Sequence, residues 1–365
     1  MRLDPINLYD YEARAQQILP HNVWDFIEAG SMDETTTRRN RTAFEALTLR
    51  PRYLRDITER NISTTVLGEE ISLPVMISPA GSHALAHPDG ELATARGAGM
   101  ANTLMMLSTS SNYSLEEVAE AASGPLWFQL YHRGYGLTEM LVRRAEEAGF
   151  KAICLTVDTP VPSPKERDLR NRFQRTLALG NFRETDRPQS EISGTDETPG
   201  WEVSRVAPLT WKELEWLRGL TSLPLVLKGL RTAEDTHVAV ESGVEGILVS
   251  THGGRQMDMT LSAIEMVPEV VEAANGHAEV YVDSGIRRGS DVVKALALGA
   301  RAVAIGRPLF WGLAVDGANG VHGTLELLRE EVDRCMAYCG QADIRELETA
   351  LVNVPYGWGM GRTVP

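Results

Sequence analysis

Two side chains capable of acid–base and anion chemistry stand close together in the stretch STHGGRQMD, residues 250–258. The stretch follows the apolar run GILVS directly, and two glycines separate His252 from Arg255. An imidazole titrates near neutral pH and can act as a general base, and a guanidinium group binds a carboxylate through two parallel hydrogen bonds. A lone histidine is more often structural, so the stretch alone indicates only a possible acid–base site.

Asp158, at the end of another apolar run, is a candidate partner for that histidine. A carboxylate can orient an imidazole and stabilise its protonated form. His83 and His87 are weaker candidates, because they lie in a segment typical of a turn that leads into a helix.

Glycines and arginines occur together in DSGIRRG (283–289) and GRP (306–308). Glycine lets backbone N–H groups approach an anion, and arginine adds a two-point partner, so both stretches predict a phosphate site. Alternatively, the glycines only shape tight turns and Arg287 pairs with a surface carboxylate. Lys228 ends the apolar run LPLVLK, where it needs an anionic partner; a bound anion and a carboxylate such as Asp283 both remain open.

The elements that must position these residues are eight apolar runs separated by helical stretches. Continuous apolar runs are typical of parallel strands covered on both faces, and several of the stretches between them begin with Ser or Thr and end at Gly. The pattern predicts an α/β fold, a closed (β/α)8 or TIM barrel, with helical segments in residues 1–70 and C-terminal helices in 309–350. The runs are LPVMIS (73–78), TLMMLS (103–108), LWFQLY (126–131), AICLTVD (152–158), LPLVLK (223–228), GILVS (246–250), EVYVD (279–283) and AVAIG (302–306).

The connection after the fourth predicted strand is unusually long and polar. Its middle is rich in Pro, Gly, Ser and Thr, which is typical of a mobile or disordered loop. We expect residues 175–207 to form a mobile loop over the site, within a single domain that spans residues 1–365.

Active sites of such barrels form where the strands end, so the residues after each predicted strand should meet at one rim. The polar, glycine and proline residues at these ends are Pro79, Ala80, Gly81, Ser108, Gln129, Tyr131, Thr156, Asp158, Lys228, His252, Arg255, Asp283, Gly285, Arg287, Gly306 and Arg307.

Composition excludes several classes of partner. The net charge of −14 argues against nucleic acid or an anionic membrane as the main partner. The N-terminal segment lacks the apolar core of a signal peptide, and no apolar run approaches ~18 residues, so we expect a cytoplasmic protein without a membrane segment. Three cysteines do not indicate a disulfide framework, no metal site is predicted, and no GxGxxG motif indicates NAD binding.

Taken together and in this order, the motifs are highly specific. From residue 8 to about residue 347, the chain resembles the FMN-dependent α-hydroxy-acid oxidase and dehydrogenase family, the group of glycolate oxidase, lactate oxidase and mandelate dehydrogenase. The motifs that carry the resemblance are LRPRYLRDIT, AHPDGELATARGA, FQLY, LTVDTP, STHGGRQMD, DSGIRRGSDVVKALALGA and IGRP.

The resemblance implies that a hydroxy acid is oxidised to its 2-oxo product, with His252 as base and flavin N5 as electron acceptor. Asp158 would support the protonated histidine, Arg255 would bind the substrate carboxylate, and Tyr131 would hydrogen-bond the substrate oxygens. Oxygen or another carrier would take the electrons, and the protein would form a homo-oligomer, a homotetramer in many relatives. The residues that would bind FMN are Pro79, Ala80, Gly81, Ser108, Gln129, Thr156, Lys228, Ser250 and Asp283 around the ring and Ser284, Gly285, Arg287, Gly306 and Arg307 at the phosphate.

Several positions depart from the family pattern, and three of them are candidate site residues. Lys165, in PSPKERD, replaces a second substrate-binding arginine; Phe26, in WDFIEAG, replaces a tyrosine; and Gly81 replaces the alanine common in oxidases. Lysine keeps the charge but loses the planar two-point contact. The departures predict a substrate that is larger or less carboxylate-like than glycolate or lactate, such as an ester or an amide, and they leave the electron acceptor open.

Two other functions remain open. A non-redox flavin isomerase uses a related barrel, although His252 with Arg255 suits hydroxy-acid oxidation better. A catalytically altered FMN-binding homologue is the second, because Lys165 and Phe26 change the substrate-binding residues.

Overall fold

The structure is a computed structural model that describes residues 5–182 and 209–358. Three helices precede the barrel, α1 (Leu8–Ile18), α2 (His21–Glu28) and α3 (Thr35–Ala46). A short strand, β1 (Thr48–Leu49), and a hairpin of β2 (Thr64–Val66) and β3 (Glu69–Ile71) follow. The helical prediction for residues 1–70 is therefore confirmed up to Ala46 and is wrong for the hairpin.

Eight parallel strands close into the predicted barrel, each inside its predicted apolar run. The predicted runs are one to three residues longer than the strands, because the flanking residues turn toward the loops. The strands are β4 (Val75–Ile77), β5 (Met105–Ser108), β6 (Leu126–Leu130), β7 (Ile153–Thr156), β8 (Leu225–Lys228), β9 (Gly246–Val249), β10 (Glu279–Val282) and β11 (Ala302–Ile305). The register pairs Ser108 with Gln129 and Thr156 with Lys228, so polar strand ends lie side by side.

Helices cover the outside of the barrel. Capping boxes begin three of them, at Ser114, Thr210 and Ser262, where a glutamate three residues on bonds back to the cap. The helices are α4 (Gly90–Met100), α5 (Leu115–Ala121), α6 (Tyr135–Glu147), α7 (Glu166–Asn171), α8 (Trp211–Leu220), α9 (Ala233–Glu241), α10 (Ala263–Ala274), α11 (Gly289–Ala297) and α12 (Arg307–Cys339). The last strand, β12 (Val352–Asn353), pairs with β1.

Side chains fill the barrel interior, as is general for this fold. Trp127 and Tyr281 are fully buried there and meet edge to face, with ring centres 5.4 Å apart. Val66 and Ile71 of the hairpin are also buried in this cluster, so β2 and β3 close the amino-terminal end of the barrel. The carboxyl ends of the strands are left to form the site.

Helix α3 fixes the loop after β9. The carboxylate of Asp258 accepts hydrogen bonds from the backbone N–H groups of Thr35 (3.2 Å) and Thr36 (2.7 Å) at the start of α3. One turn further on, the Asn40 amide donates to Thr251 Oγ1 at 2.8 Å. These contacts join residues more than 200 positions apart and hold the loop that carries His252.

The described helices include none that is both long and apolar enough to cross a bilayer. The predicted mobile loop, residues 175–207, is described only up to residue 182, and the rest of that segment lies outside the described residues.

Candidate active site

A cavity of about 1380 Å³ lies at the carboxyl ends of the strands. The rule that barrel strands end at the active site therefore brought most of the predicted residues together. Predicted residues that line the cavity are Phe26, Pro79, Ala80, Gly81, Ser108, Tyr131, Thr156, Lys165, Lys228, His252, Arg255, Asp283, Ser284, Gly285, Arg287, Gly306 and Arg307. Gln129, Asp158 and Ser250 lie behind the surface, and each is hydrogen-bonded to a lining residue.

The turn after β9 has three successive residues in the left-handed backbone region. The φ angles of His252, Gly253 and Gly254 are 56°, 67° and 77°. Such a conformation is costly for histidine and persists where the surroundings fix it. At Gly254 a Cβ would lie 2.6 Å from the backbone nitrogen of Thr37, so α3 packs too closely for any side chain there.

His252 is oriented by Asp158. Their Nδ1 and Oδ1 atoms are 3.1 Å apart, and the side chains are 19% and 4% exposed. A carboxylate can only accept, so Nδ1 carries the hydrogen and Nε2 is the basic nitrogen. Asp158 Oδ2 is buried and has no hydrogen-bond partner in the described residues.

The electrostatics of the pair favour a neutral imidazole beside an ionised carboxylate. Burial lowers the pKa of His252, nearby Lys228 lowers it further, and Asp158 opposes both. Burial opposes ionisation of Asp158, but the adjacent His252 and Lys228 outweigh it and leave the pKa of the carboxyl below its usual value. At neutral pH the histidine is therefore ready to accept a proton.

Lys228 is buried in a polar network. Its Nζ donates to Ser250 Oγ at 3.0 Å and lies 3.6 Å from Asp283 Oδ2. Burial would lower its pKa, but Asp283 and Asp158 outweigh this and raise the pKa above the ordinary lysine value. The carboxylate pairing considered from the sequence is thus present, and the ammonium group lines the cavity as well.

A row of hydrogen bonds crosses the ends of β5, β6 and β7. Ser108 Oγ donates to Gln129 Oε1 at 3.1 Å, and Gln129 Nε2 donates to Thr156 Oγ1 at 2.8 Å. The row fixes the orientation of the amide and both hydroxyl groups beside Lys228.

Two arginines lie after β10 and β11. Arg307 donates to the carbonyl oxygens of Gly253 at 2.9 Å and Ile27 at 3.2 Å, which ties the histidine turn to α2. Arg287 stacks on Trp311, with its guanidinium carbon 4.7 Å from the ring centre. Burial lowers the pKa of Arg287. Within the described ranges the neighbouring Arg288 forms a salt bridge, to Glu331 at 2.6 Å, and Arg287 forms none, so the surface-pairing alternative is not observed.

Backbone carbonyl groups hold the side chain of Arg255 in place. Its Nη1 donates to the carbonyl oxygens of Phe26 at 2.7 Å and Ala29 at 2.8 Å, near the end of α2. Burial and the neighbouring Arg307 lower its pKa to about 10, so it stays charged at neutral pH. Lys165 lies on the same cavity and donates to Ser163 O at 3.3 Å.

Residues 15–354 match the sequence model of the FMN-dependent dehydrogenases. The chain belongs to this family. An L-lactate oxidase of Nostoc sp. is 46% identical over 96% of this chain and 98% of its own. A glycolate oxidase of Oryza sativa subsp. indica is 46% identical over 93% and 94%. A solved structure of mandelate oxidase with (S)-2-phenylpropionate has a TM-score of 0.87 at 41% identity and covers 96% of this chain and 98% of that one.

As an FMN-dependent dehydrogenase, the protein is an oxidoreductase with FMN as its cofactor. The cavity fits this cofactor. Where a Cβ would stand on Gly306 there is no atom within 4 Å, and Gly306 directly precedes α12, whose N-terminus favours an anion. Arg287 and Arg307 line the same cavity, and so do Ser108, Thr156 and Lys228 at the ends of β5, β7 and β8.

Gly81 adds no open space to the cavity in place of the alanine common in oxidases. A Cβ on Gly81 would lie 2.9 Å from both the Cβ and the carbonyl oxygen of Ser110. The loop after β5 therefore fills the volume that an alanine side chain would occupy at this position.

Sequence reasoning missed four charged residues of the cavity, Arg133, Asp168, Arg172 and Arg175. Burial raises the pKa of Asp168, although Arg255 and Lys165 act to lower it. The Oδ1 atom of Asp168 has no hydrogen-bond partner in the described ranges. Asp168 is one turn into the short helix α7 behind Lys165, a spacing that could have indicated it. Arg175 was overlooked because it was assigned to the mobile loop.

Proposed function

We propose that this protein oxidises a 2-hydroxy acid, or a close 2-hydroxycarbonyl relative, to the 2-oxo product, with His252 as the base. The observation that carries the proposal is that His252 lies 3.1 Å from Asp158 and shares its turn with Arg255, which is buried and charged. Relatives named lactate oxidase and glycolate oxidase, at 46% identity, support it.

Each of these side chains has a separate role in the proposed reaction. Arg255 and Lys165 bind the carboxylate, and Tyr131 hydrogen-bonds the substrate oxygens. His252 Nε2 accepts the proton, and the buried carboxylate of Asp158 stabilises the imidazolium that results. When bound, FMN supplies the acceptor of two electrons.

FMN binding is assigned to three groups of residues. Arg287, Arg307, Ser284, Gly285 and Gly306 hold the phosphate through charge and backbone N–H groups. Pro79, Ala80, Gly81, Ser108, Gln129 and Thr156 hold the ring from the ends of β4–β7, and Lys228, with Ser250 and Asp283 behind it, places a positive charge beside it. Solvent is limited there, which strengthens each electrostatic contact.

The charge of the cavity favours an anionic substrate over an ester or an amide. Arg255 and Lys165 both line it, and a buried cation without an anion is unfavourable. We further propose oxygen as the electron acceptor, which the relatives named as oxidases support. A homotetrameric state and a cytoplasmic location stay predictions, to be checked by light scattering and cell fractionation.

One experiment tests the proposal. Purified holoenzyme is mixed anaerobically with 2-hydroxy acids, their esters and their amides, and the absorbance of FMN is followed. Bleaching by a 2-hydroxy acid, with recovery on admission of oxygen, is the expected result; the His252→Gln variant should retain FMN without bleaching. Isomerised product with unbleached flavin, or no bleaching by any compound, would contradict the proposal.

A further inference from the structure

Two guanidinium groups contact one aromatic ring at the outer side of the cavity. The guanidinium carbons of Arg255 and Arg175 lie 5.3 Å and 5.7 Å from the ring centre of Phe26. Phe173 stacks on the same ring at 4.7 Å. The two guanidinium carbons are therefore at most about 11 Å apart, the sum of their distances to the ring centre, and both residues line the cavity.

Positive charge dominates this cavity although the chain is strongly acidic. The described lining contains eight arginines and lysines against two aspartates, Asp168 and Asp283, in a chain of net charge −14. Arg175 is one of these cations, so the lining as a whole favours ligands that carry negative charge.

We propose that Arg175 binds a second anionic group of the substrate, so that the preferred substrates are 2-hydroxydicarboxylates. The inference rests on the proposed oxidation of 2-hydroxy acids and deepens it. Arg255 takes the carboxylate next to the hydroxyl group, and Arg175 takes the carboxylate at the far end.

The spacing suits a short chain. A two-point guanidinium–carboxylate pair spans about 4 Å between the two central carbons. Two such pairs and a backbone of four or five carbons are long enough to join guanidinium groups at most about 11 Å apart. Phe26 supports both arginines through cation–π contact, a role that a tyrosine hydroxyl group would not improve.

The test compares compounds of equal length. The holoenzyme is assayed with 2-hydroxyglutarate and 2-hydroxypentanoate, and its oxidised form is titrated with 2-oxoglutarate and 2-oxopentanoate by flavin absorbance. We expect the dicarboxylate to be favoured at least about tenfold in both readouts, because a site built for a charged group rejects an analogue that lacks it.

Variants separate charge from packing. Arg175→Met keeps a long side chain on Phe26 and should remove most of the tenfold preference while 2-hydroxypentanoate turnover changes less than about twofold. Arg175→Lys should retain part of the preference. Arg170→Met, on the exposed face of α7 and outside the cavity lining, is the matched control and should behave as the wild type. FMN content and the melting temperature show whether each variant is folded.

Three outcomes would overturn the inference. A wild-type enzyme that prefers 2-hydroxypentanoate lacks the second site, and equal losses on both compounds in Arg175→Met would make Arg175 a general structural residue. In both cases bleaching by the monocarboxylate still supports the proposed oxidation. If no hydroxy acid bleaches the flavin, the proposed function and this inference fail together.

Discussion

At the scale of single residues, the proposed chemistry depends on keeping one imidazole neutral beside one ionised carboxylate. His252 has its pKa lowered first by burial and then by Lys228, and Asp158 limits that decrease. The buried Oδ2 of Asp158, without a partner in the described ranges, leaves much of the carboxylate charge for the imidazolium. The pair therefore favours proton acceptance in substrate oxidation over proton release.

The pair predicts a specific pH dependence. A base must be deprotonated, and burial lowers the pKa of His252, so kcat/KM should decrease on acidification with an inflection below the ordinary value of 6.5. The charge of Asp158 raises the pKa of His252, and Asp158→Asn removes that charge. The inflection should therefore move to lower pH, and kcat/KM should fall by roughly 10²-fold or more. Initial rates across the acid range measure both effects; an inflection that does not move would count against the assignment.

Lys165 offers a gain-of-function prediction. Lys165→Arg restores a planar two-point partner, which is worth roughly 1 kcal/mol for one added charge-assisted hydrogen bond. KM for a monocarboxylic 2-hydroxy acid should fall about fivefold, with kcat within about twofold. Lys151→Arg, exposed on the far side of the barrel from the cavity lining, is the control. An unchanged KM would place Lys165 outside the carboxylate site.

At the scale of elements, α3 and the turn after β9 form one unit. Asp258 caps α3, Asn40 binds Thr251, and Gly254 lies against Thr37. Contacts with α3 therefore help to hold the turn that carries His252 in its left-handed conformation. Rigid support of this kind would place the proposed base and the proposed carboxylate-binding arginine accurately.

A pair of glycines isolates the effect of that docking. Gly254 and Gly276 have φ angles of 77° and 76°, but only Gly254 has a neighbour where a Cβ would stand. Gly276→Ala should lower the free energy of unfolding by about 1 kcal/mol, for the backbone conformation alone, and leave activity unchanged. Gly254→Ala should lower the free energy of unfolding by about 1–3 kcal/mol more than Gly276→Ala does, and it should reduce kcat/KM strongly. Urea denaturation and steady-state kinetics compare them, and equal losses of stability would show that α3 does not constrain the turn.

The elements also show how far the sequence leads. All eight barrel strands were predicted because each is a continuous apolar run, and barrel geometry then placed the residues that follow them. The contact of Phe26 with Arg175 could not be predicted, since it joins α2 to a loop about 150 residues away. The β2–β3 hairpin was missed although Leu67 and Gly68, both at positive φ, form the kind of turn that joins two strands.

At the scale of the whole molecule, the cavity joins elements from residue 26 to residue 310. A ligand that binds only the folded state stabilises every one of them together. Helices α2 and α3 belong to this unit, because Arg255 and Arg307 donate to carbonyl groups of α2 and Asn40 of α3 donates to Thr251.

FMN should therefore stabilise the apoprotein, and its phosphate should contribute much of the effect. At a free FMN concentration of 100 times Kd, the stabilisation is about 2.7 kcal/mol. Riboflavin, which lacks the phosphate, should raise the melting temperature less at equal concentration, and Arg287→Met should narrow the difference between the two ligands. Thermal unfolding followed by tryptophan fluorescence measures this, and equal effects of both ligands would place the phosphate elsewhere.

The packed barrel interior also determines how molecules exchange. Trp127, Tyr281 and the hairpin residues Val66 and Ile71 fill the barrel below the site, so the described residues leave no passage through it. Substrate must arrive, and product must leave, on the side where the strands end. Because both use this side of the described barrel, the product competes directly with the next substrate molecule, and the rate of its departure can govern turnover.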